Sequence, residues 1–158
     1  MALDLRQKLP AEHQLLALRP LVESDAPGLA DLMLAGFRGT VDDEGEDLDQ
    51  AREEVHRTFA GGYGRLLWNA SFVVEGESAT PELLSASVIT FWQDLPLLSC
   101  SVTHPQAVRR GLATALILQS ARTLAGQGYA RLDLFVTRGN AAAEHLYEKL
   151  GFHNVERG

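Results

Sequence analysis

The sequence predicts a mixed α/β (α+β) fold in which the sheet is mainly antiparallel. Three β-rich runs, at residues 71–75, 85–92 and 95–103, follow one another with short connections, and strands joined in this way pair antiparallel. A single strand–helix–strand unit then spans residues 95–137, and such a unit makes a right-handed crossover between parallel strands. The resulting order, β, α, α, β, β, β, α, β, α, differs from that of a doubly wound sheet.

Size and composition are typical of one domain. The chain has 158 residues, enough to bury a core without disulfides or metal, so we expect a single domain over residues 1–158. The net charge of −7 provides no positive field for nucleic acid. The lone cysteine, Cys100, cannot form an internal disulfide, and MALDLRQKLP at the start has no apolar run typical of a signal peptide or membrane span. We therefore expect a cytoplasmic protein with neither nucleic acid nor membrane as a partner.

The N-terminal half is predicted to form one strand and two helices. Residues 15–22, LLALRPLV, are typical of a strand, and Ser24 is a candidate N-cap for an apolar helix that ends near Gly36. An acidic segment follows and is expected to form a loop. Residues 48–60 then place apolar side chains at i, i+3, i+7 and i+11, which predicts an amphipathic helix. Its mostly outward positions are Arg52, Glu53, His56 and Arg57.

The C-terminal half adds the crossover helix, the last strand and the last helix. From Gly111 the chain is apolar on two helical faces, which indicates a mostly buried helix that ends at Gly126 and Gly128. Residues 130–137 alternate in the manner of a strand. Residues 140–150 are predicted to form the last helix, which the following glycine ends.

The stretch VRRGLATAL, residues 108–116, joins two arginines and a glycine to a helix start. Glycine permits close approach of another molecule to the backbone, and the first N–H groups of a helix have no partner inside it. These N–H groups and the arginines are suited to holding a phosphate. Taken alone, however, the RRG tripeptide is better explained as a tight turn with solvated arginines.

VTHPQAVRRGLATAL, followed by NAAAEHLYEKLGF, resembles the Gcn5-related N-acetyltransferase (GNAT) family over the C-terminal third, while the N-terminal half matches only in the order of its elements. The resemblance implies a GNAT-like acyl-CoA N-acyltransferase fold, in which the parallel fourth and fifth strands diverge and admit acetyl-CoA as cosubstrate. It also implies a pyrophosphate-binding turn and a strand edge that faces the pantetheine. The implied cofactor-binding residues on these two features are Ser101, Val102, Thr103, Arg109, Arg110, Gly111, Leu112, Ala113 and Thr114.

Asn140 and Tyr147 each have two explanations. Asn140 is a good helix N-cap by itself, and in the family the matching asparagine contacts the cofactor. Tyr147 belongs to an i, i+3, i+4, i+7 stripe that predicts inward packing, and in the family the matching tyrosine protonates the departing thiolate. The explanations are compatible, because a buried phenol needs a partner for its hydroxyl.

Two positions depart from the family pattern. Val108 stands where the family usually has glutamine or arginine, which affects a side-chain contact but not contacts through backbone amides. Phe135 stands five residues before Asn140, where many family members that acetylate protein N-termini carry a glutamate. The second departure argues against a direct copy of that subclass.

The acidic segment is explained either as a solvated loop or as part of an acceptor site. It lies between the first two helices, where the family often forms the acceptor side of its cleft, so a carboxylate cluster there favours a cationic acceptor. The candidate acceptor-binding residues are Asp42, Asp43, Glu44 and Glu46.

The remaining reactive residue types are assigned smaller roles. Cys100 is expected to be a small core residue, because no histidine is placed to activate it. The histidines form no metal-type spacing, so no metal is expected. His104 is expected to lie in a loop near the cofactor, with general base as the alternative. The candidates for the general base are Asp94, Glu75, Asp133 and the acidic loop.

The sequence-based hypothesis is an enzyme, an acetyl-CoA-dependent N-acetyltransferase. A small, cationic primary amine attacks directly in a ternary complex, and Tyr147 supplies the proton to sulfur. The alternatives are a protein or peptide amine acetyltransferase and a non-catalytic acyl-CoA-binding domain. Only seven residues follow Gly151, where the family fold normally has two strands. We therefore expect either that FHNV forms a short last strand with an open edge or that a partner chain covers that edge. Because exposed edges invite pairing, a homodimer is predicted.

Overall fold

The computed structural model describes residues 1–7, 9, 18–79 and 82–155. Residues 15–17 of the first predicted strand lie outside the described residues. The strands and helices, in chain order, are β1 (Ala2–Asp4), β2 (Leu18–Pro20), α1 (Ala26–Phe37), α2 (Leu48–Phe59), β3 (Arg65–Leu66), β4 (Phe72–Glu75), β5 (Leu83–Trp92), β6 (Leu95–Thr103), α3 (Leu112–Gly126), β7 (Arg131–Leu134) and α4 (Ala141–Leu150).

The strands form one sheet in the order β1-β7-β6-β5-β4-β2, with β3 paired to β5. The pairings are antiparallel, except that β6 and β7 are parallel. The predicted fourth and fifth strands correspond to β6 and β7. The mixed, mainly antiparallel sheet with one parallel crossover is therefore confirmed.

Helices cover both faces of the sheet. On one face, α1 and α2 pack on apolar side chains of β4 and β5, among them Val73 and Val88. On the other face, α3 buries both of its apolar sides between the sheet and α4, against Ile89, Leu132 and Leu150. This is the reason that its sequence lacks a polar stripe. The predicted site lies where these two layers meet the end of β6.

The start of α1 differs from the expectation. Ser24 lies in a short 3-10 turn, and the helix begins at Ala26. The carboxylate of Asp25 accepts the N–H of Val22 at 2.8 Å and also binds Arg19. Asp25, rather than Ser24, therefore fixes the chain at this helix start.

The edge of the sheet beyond β7 also differs from the expectation. β1 pairs antiparallel with β7 through Ala2↔Asp133 and its two neighbours, so a segment to which the sequence analysis assigned no element supplies a strand. The predicted last strand FHNV is reduced to a single bridge, between His153 and Ala2. The physical reason is that β1 already satisfies the backbone groups along this edge of β7.

Candidate active site

The site begins where β6 and β7 separate. Their last pair is Leu98↔Leu134, and β6 continues to Thr103 with β5 on its other edge. At the point of separation the register of β6 shifts, because Val88 pairs with Cys100 while Ile89 pairs with Leu98. The edge of residues 99–103 that faces away from β5 thus has no strand partner among the described residues, and its backbone groups are available to a ligand.

The glycine turn lies at the end of this gap. Arg109 and Gly111 both have positive φ, 67° and 74°, and a side-chain carbon built on Gly111 would meet nothing within 4 Å. Arg109, Arg110 and Gly111 are exposed, while Leu112 is buried and anchors the start of α3. The first N–H groups of α3 have no acceptor inside the helix, so this exposed turn can hold an anion. The guanidinium of Arg110 donates to the carbonyl of Gln106 at 3.3 Å.

The strand-edge residues divide into core and cleft positions. Val102 is buried against α1, where Gly36 allows the close approach, since a side-chain carbon there would lie 2.3 Å from Val102 Cγ2. Thr103 is half-buried, and its hydroxyl lies 2.8 Å from that of Ser85. Ser101 is half-buried and faces Tyr147. The side chain of Val102 therefore serves packing, and only its backbone is available to a cofactor.

Tyr147 reaches the gap from α4. Its ring packs edge-on against Phe152 at 5.8 Å between centroids, and its phenol forms a hydrogen bond with the Ser101 side chain on β6. Burial raises the pKa of Tyr147, the hydrogen bond with Ser101 opposes this, and the fields of Cys100 and Asp42 raise it further. The phenol therefore keeps its proton at neutral pH and is suited to donating it. Inward packing and a polar partner coexist, as the sequence predicted.

Asn140 caps α4 and also contacts the acidic segment. Its Oδ1 accepts the N–H of Ala143 at 3.2 Å, which is the N-cap role. Its Nδ2 donates to Asp42 at 3.4 Å, and the hydroxyl of Thr137 donates to the same carboxylate at 2.5 Å. Asp42, predicted on the acceptor side, thus touches a residue predicted on the cofactor side.

The other acidic residues differ in what they bind. Asp43 accepts the N–H groups of Gly39 and Gly45, which lowers its pKa and shapes the loop. Glu46 accepts the N–H of Glu44 at 3.2 Å. The loop is therefore held by its own carboxylates. Of the four predicted acceptor residues, Glu44 is exposed and the other three are half-buried.

A cavity of about 920 Å³ lies between this loop, α2 and β6. Its floor is apolar, formed by Val88, Leu98 and the partly buried Cys100, and Phe135 lies at its mouth, 62% exposed. Six carboxylates and two guanidinium groups line it. They are Asp42, Asp43, Glu44, Glu46, Glu53 and Glu54, with Arg38 and Arg57. The excess of negative charge favours a cationic ligand.

Three of the candidate bases lie outside this cavity. Glu75 is paired with Arg19, whose guanidinium also binds Asp25. Asp133 is buried and bound by Arg131 at 2.5 Å. Asp94 is exposed in the hairpin turn between β5 and β6. Of the candidates named from the sequence, only the acidic loop faces the acceptor side.

Cys100 and His104 have defined surroundings. Burial, with a smaller contribution from Glu54, raises the pKa of Cys100 to about 12, so its thiol stays protonated and is a poor nucleophile. Nδ1 of His104 accepts the N–H of Gln106 at 3.1 Å, which commits that nitrogen to the turn before α3.

Several cavity residues were missed by sequence reasoning. Glu53 and Arg57 are exposed, as expected, but they also line the cavity together with Gln50 and Glu54, which the sequence did not indicate. The spacing of Gln50, Glu54 and Arg57 at i, i+4 and i+7 is a signal that could have found this polar face.

The described residues contain neither a candidate metal-binding cluster nor a candidate membrane-spanning helix. Across residues 1–7, 9, 18–79 and 82–155, no three His, Cys, Asp or Glu side chains are grouped so that they could hold a metal ion. Over the same ranges, no helix combines the length and the apolar character needed to cross a bilayer.

Comparison with known sequences gives two likenesses. The family model described as FR47-like protein matches residues 86–157. A mycothiol acetyltransferase of Gordonia bronchialis is 31% identical over 170 residues, which cover 96% of this chain and 55% of that relative. The chain thus spans about half the length of this curated relative.

Solved structures share the fold. A Gcn5-related N-acetyltransferase from Sphaerobacter thermophilus superposes with a TM-score of 0.71 at 16% identity, over 96% of this chain and 46% of that one. The PaiA N-acetyltransferase from Thermoplasma acidophilum, solved in complex with coenzyme A, has a TM-score of 0.68 at 16% identity, over 89% of this chain and 91% of that one. Taken with the sheet order, this shows that the chain has the fold of these N-acetyltransferases.

Proposed function

We propose that this chain is an N-acetyltransferase that transfers an acetyl group from acetyl-CoA to a primary amine of a small cationic acceptor. The observation that carries the proposal is the position of Tyr147, whose protonated phenol is bonded to Ser101 where β6 and β7 diverge. A thioester sulfur bound in this gap would then lie next to a proton donor. The acidic cavity opens on the other side of the same strand.

Cofactor binding is assigned to the turn and the free edge of β6. The pyrophosphate would bind the N–H groups at the start of α3, with Arg109 and Arg110 beside them. The pantetheine would lie along the edge of residues 101–103. The exposed, left-handed Gly111 supports this assignment, because the space above it is open to a ligand.

The reaction is direct attack in a ternary complex. An uncharged amine attacks the thioester carbonyl, and a backbone N–H of β6 near the shifted register stabilises the developing oxyanion. Tyr147 then donates its proton to the departing sulfur. A covalent acyl-enzyme is not required, which agrees with the protonated state of Cys100.

The small cationic acceptor is supported by charge and by volume. The cavity of about 920 Å³ is within the range of small-molecule sites, and its carboxylates outnumber its guanidinium groups. A basic peptide is the alternative, since such a ligand would also be attracted by these carboxylates. A non-catalytic acyl-CoA-binding domain is the other alternative, and the retained tyrosine argues against it.

One experiment separates the three possibilities. Thioester cleavage of acetyl-CoA would be measured with putrescine, spermidine, neamine, lysine methyl ester and a basic peptide, beside calorimetry of acetyl-CoA alone. We expect binding, and turnover with the small amines. Turnover of the peptide alone would support the peptide alternative, and binding without any cleavage would support the non-catalytic one.

A homodimer stays a prediction, although its original reason has changed. The last strand FHNV, whose edge was expected to be open, is reduced to a single bridge with β1, and β1 pairs with β7. Light scattering at micromolar concentration tests the prediction, and a monomeric mass would remove it.

A further inference from the structure

The carboxylates of the acidic cavity are not equivalent. Asp42 binds Thr137, Asp43 binds two loop N–H groups, and Glu46 binds the N–H of Glu44. Each of these belongs to the loop and serves its conformation. Two carboxylates lie instead on α2, the half-buried Glu54 and the exposed Glu53. Of the six carboxylates that line the cavity, only Glu53 and Glu54 belong to a helix.

Helix α2 holds Glu54 in a defined position. Ala51, Val55 and Thr58 bury one side of the helix, and the hydroxyl of Thr58 donates to the carbonyl of Glu54 at 2.8 Å. The helix start is closed by a reciprocal pair of bonds between Asp47 and Gln50. A group on such a helix is positioned more accurately than one on a loop.

Glu54 faces the strand that carries the gap. Both Glu54 and Cys100 line the cavity, and the negative charge of the Glu54 carboxylate contributes to the raised pKa of the Cys100 thiol. The next residue, Ser101, binds Tyr147. Glu54 comes from the face of the sheet covered by α1 and α2, whereas Tyr147 comes from the face covered by α3 and α4. The two groups therefore flank β6 from opposite sides.

We propose that Glu54 is the general base of the acetyl transfer proposed above, and that it takes a proton from the acceptor ammonium directly or through one water. The freed nitrogen forms a bond to the acetyl carbon, and the carbon–sulfur bond breaks with its electron pair going to sulfur. Tyr147 gives its proton to that sulfur. The attacking nitrogen loses a second proton, which restores the phenol, and the proton on Glu54 is released to solvent. Atoms and charge balance without a further reactant.

Other charged groups line the same cavity as Glu54. On α2 its partner is Arg57, 3.2 Å away, a pair in which both side chains are more than one third exposed. Such a pair is weak and leaves the carboxylate open to a ligand. The titratable and charged groups that line the cavity with Glu54 come from α2, from the acidic loop and the end of α1, from β6 and from the residues before β3. They are Glu53, Arg57, Arg38, Asp42, Asp43, Glu44, Glu46, Cys100 and Tyr63.

The test compares Glu54→Gln with Glu53→Gln, because both remove one negative charge from the same helix and the same cavity. The full chain would be assayed with the amine of the panel that the parent acetylates fastest, from pH 6 to about pH 10, where a lysine-like amine loses its own proton. We expect Glu54→Gln to lower kcat about 10²- to 10⁴-fold near neutrality. The loss should shrink as pH rises, since a free amine needs no base. Tyr147 remains a proton donor over this range, because its pKa is raised.

Glu53→Gln should raise KM and keep the parent's pH dependence of kcat. Melting temperatures would establish that both variants fold. The base role is overturned if Glu54→Gln keeps kcat within a few-fold of the parent, if its loss is the same at every pH, or if Glu53→Gln reproduces it. Since these outcomes require an active parent, they leave the acetyltransferase proposal intact. Absence of parent turnover over the whole panel overturns both proposals.

Discussion

Tyr147 is the residue on which the proposed chemistry most directly depends. Replacing it by phenylalanine keeps the ring contact with Phe152 and removes only the hydroxyl that binds Ser101. We expect Tyr147→Phe to lower kcat about 10²- to 10⁴-fold, with little change in acetyl-CoA affinity. Thioester cleavage and calorimetry provide the two measurements.

A tyrosine that served packing alone would behave differently. Turnover of Tyr147→Phe would then remain near that of the parent, with at most a modest fall in melting temperature. In that case the proton for sulfur would have to come from water. Ser101→Ala is a useful companion variant, because it removes the partner of the phenol while leaving the proposed acid in place.

Gly111 provides a second test at the level of a single residue, this time of the proposed cofactor turn. Its φ of 74° is costly for a side chain, by roughly 1–2 kcal/mol, but the space around it is open. Gly111→Ala introduces this strain alone, whereas Gly111→Asp adds a negative charge where the pyrophosphate would bind. We expect the aspartate to weaken acetyl-CoA binding at least about tenfold beyond the alanine variant, or about 1.4 kcal/mol. Calorimetry on both folded variants measures this, and equal affinities would remove the turn from the cofactor site.

At the scale of elements, the contact between the acidic loop and α4 changes an expectation. The sequence assigns the acidic loop to the acceptor side, so amide replacements there would be expected to raise the acceptor KM and leave cofactor affinity nearly unchanged. In the structure Asp42 binds Thr137 and Asn140, whereas Glu44 does not. The loop therefore contacts the residues that precede and cap α4, on the side assigned to the cofactor.

We therefore expect Asp42→Asn and Glu44→Gln to behave differently. Both should raise the acceptor KM, because each removes one negative charge from the cavity. Only Asp42→Asn should also weaken acetyl-CoA binding, by about fivefold or 1 kcal/mol, since a charge-assisted hydrogen bond to Thr137 is lost. Calorimetry with acetyl-CoA distinguishes them. Unchanged affinity in Asp42→Asn would restore the sequence-based separation of the two sides.

At the scale of the whole molecule, an ion-pair cluster joins parts of the chain that are distant in sequence. The guanidinium of Arg19 on β2 binds Asp25 before α1, at 2.7 Å, and Glu75 on β4. Burial alone would raise the pKa of Asp25, but the hydrogen bonds from Arg19 and from the N–H of Val22 outweigh burial and lower it. A carboxyl whose pKa is lowered on folding stabilises the fold above its ordinary pKa, and this contribution is lost as pH falls.

Arg19→Met should therefore destabilise the protein by about 2 kcal/mol at neutral pH. The difference from the parent should shrink as the pH falls below the ordinary aspartate value of about 3.9, because a protonated Asp25 no longer needs the guanidinium. Denaturant unfolding at several pH values measures this. Arg6→Met is the control, since its pair with Asp4 is exposed, and it should give no resolvable change. A pH-independent loss for Arg19→Met would contradict the electrostatic explanation.

The local patterns of the sequence were sufficient for most of the fold. The periodicity of residues 48–60 predicted α2, which is found at Leu48–Phe59, and the glycines after the crossover and last helices predicted their ends. The parallel β6–β7 pair followed from a single strand–helix–strand unit. These predictions succeed because helix periodicity, capping and crossover handedness depend on neighbouring residues in the chain.

The features that decide the site's shape could not be read in this way. β1 at the far edge of the sheet, the bond between Asp42 and Asn140 and the position of Glu54 opposite Cys100 all join distant parts of the chain. Asp42 and Asn140, for example, are 98 positions apart. The sequence by itself determined the parallel crossover, the glycine turn and the helix that carries Tyr147, because these depend on local spacing. Only the tertiary structure decided which carboxylates face the gap, because that depends on how the packed layers bring side chains of α2, the acidic loop and α4 around one strand.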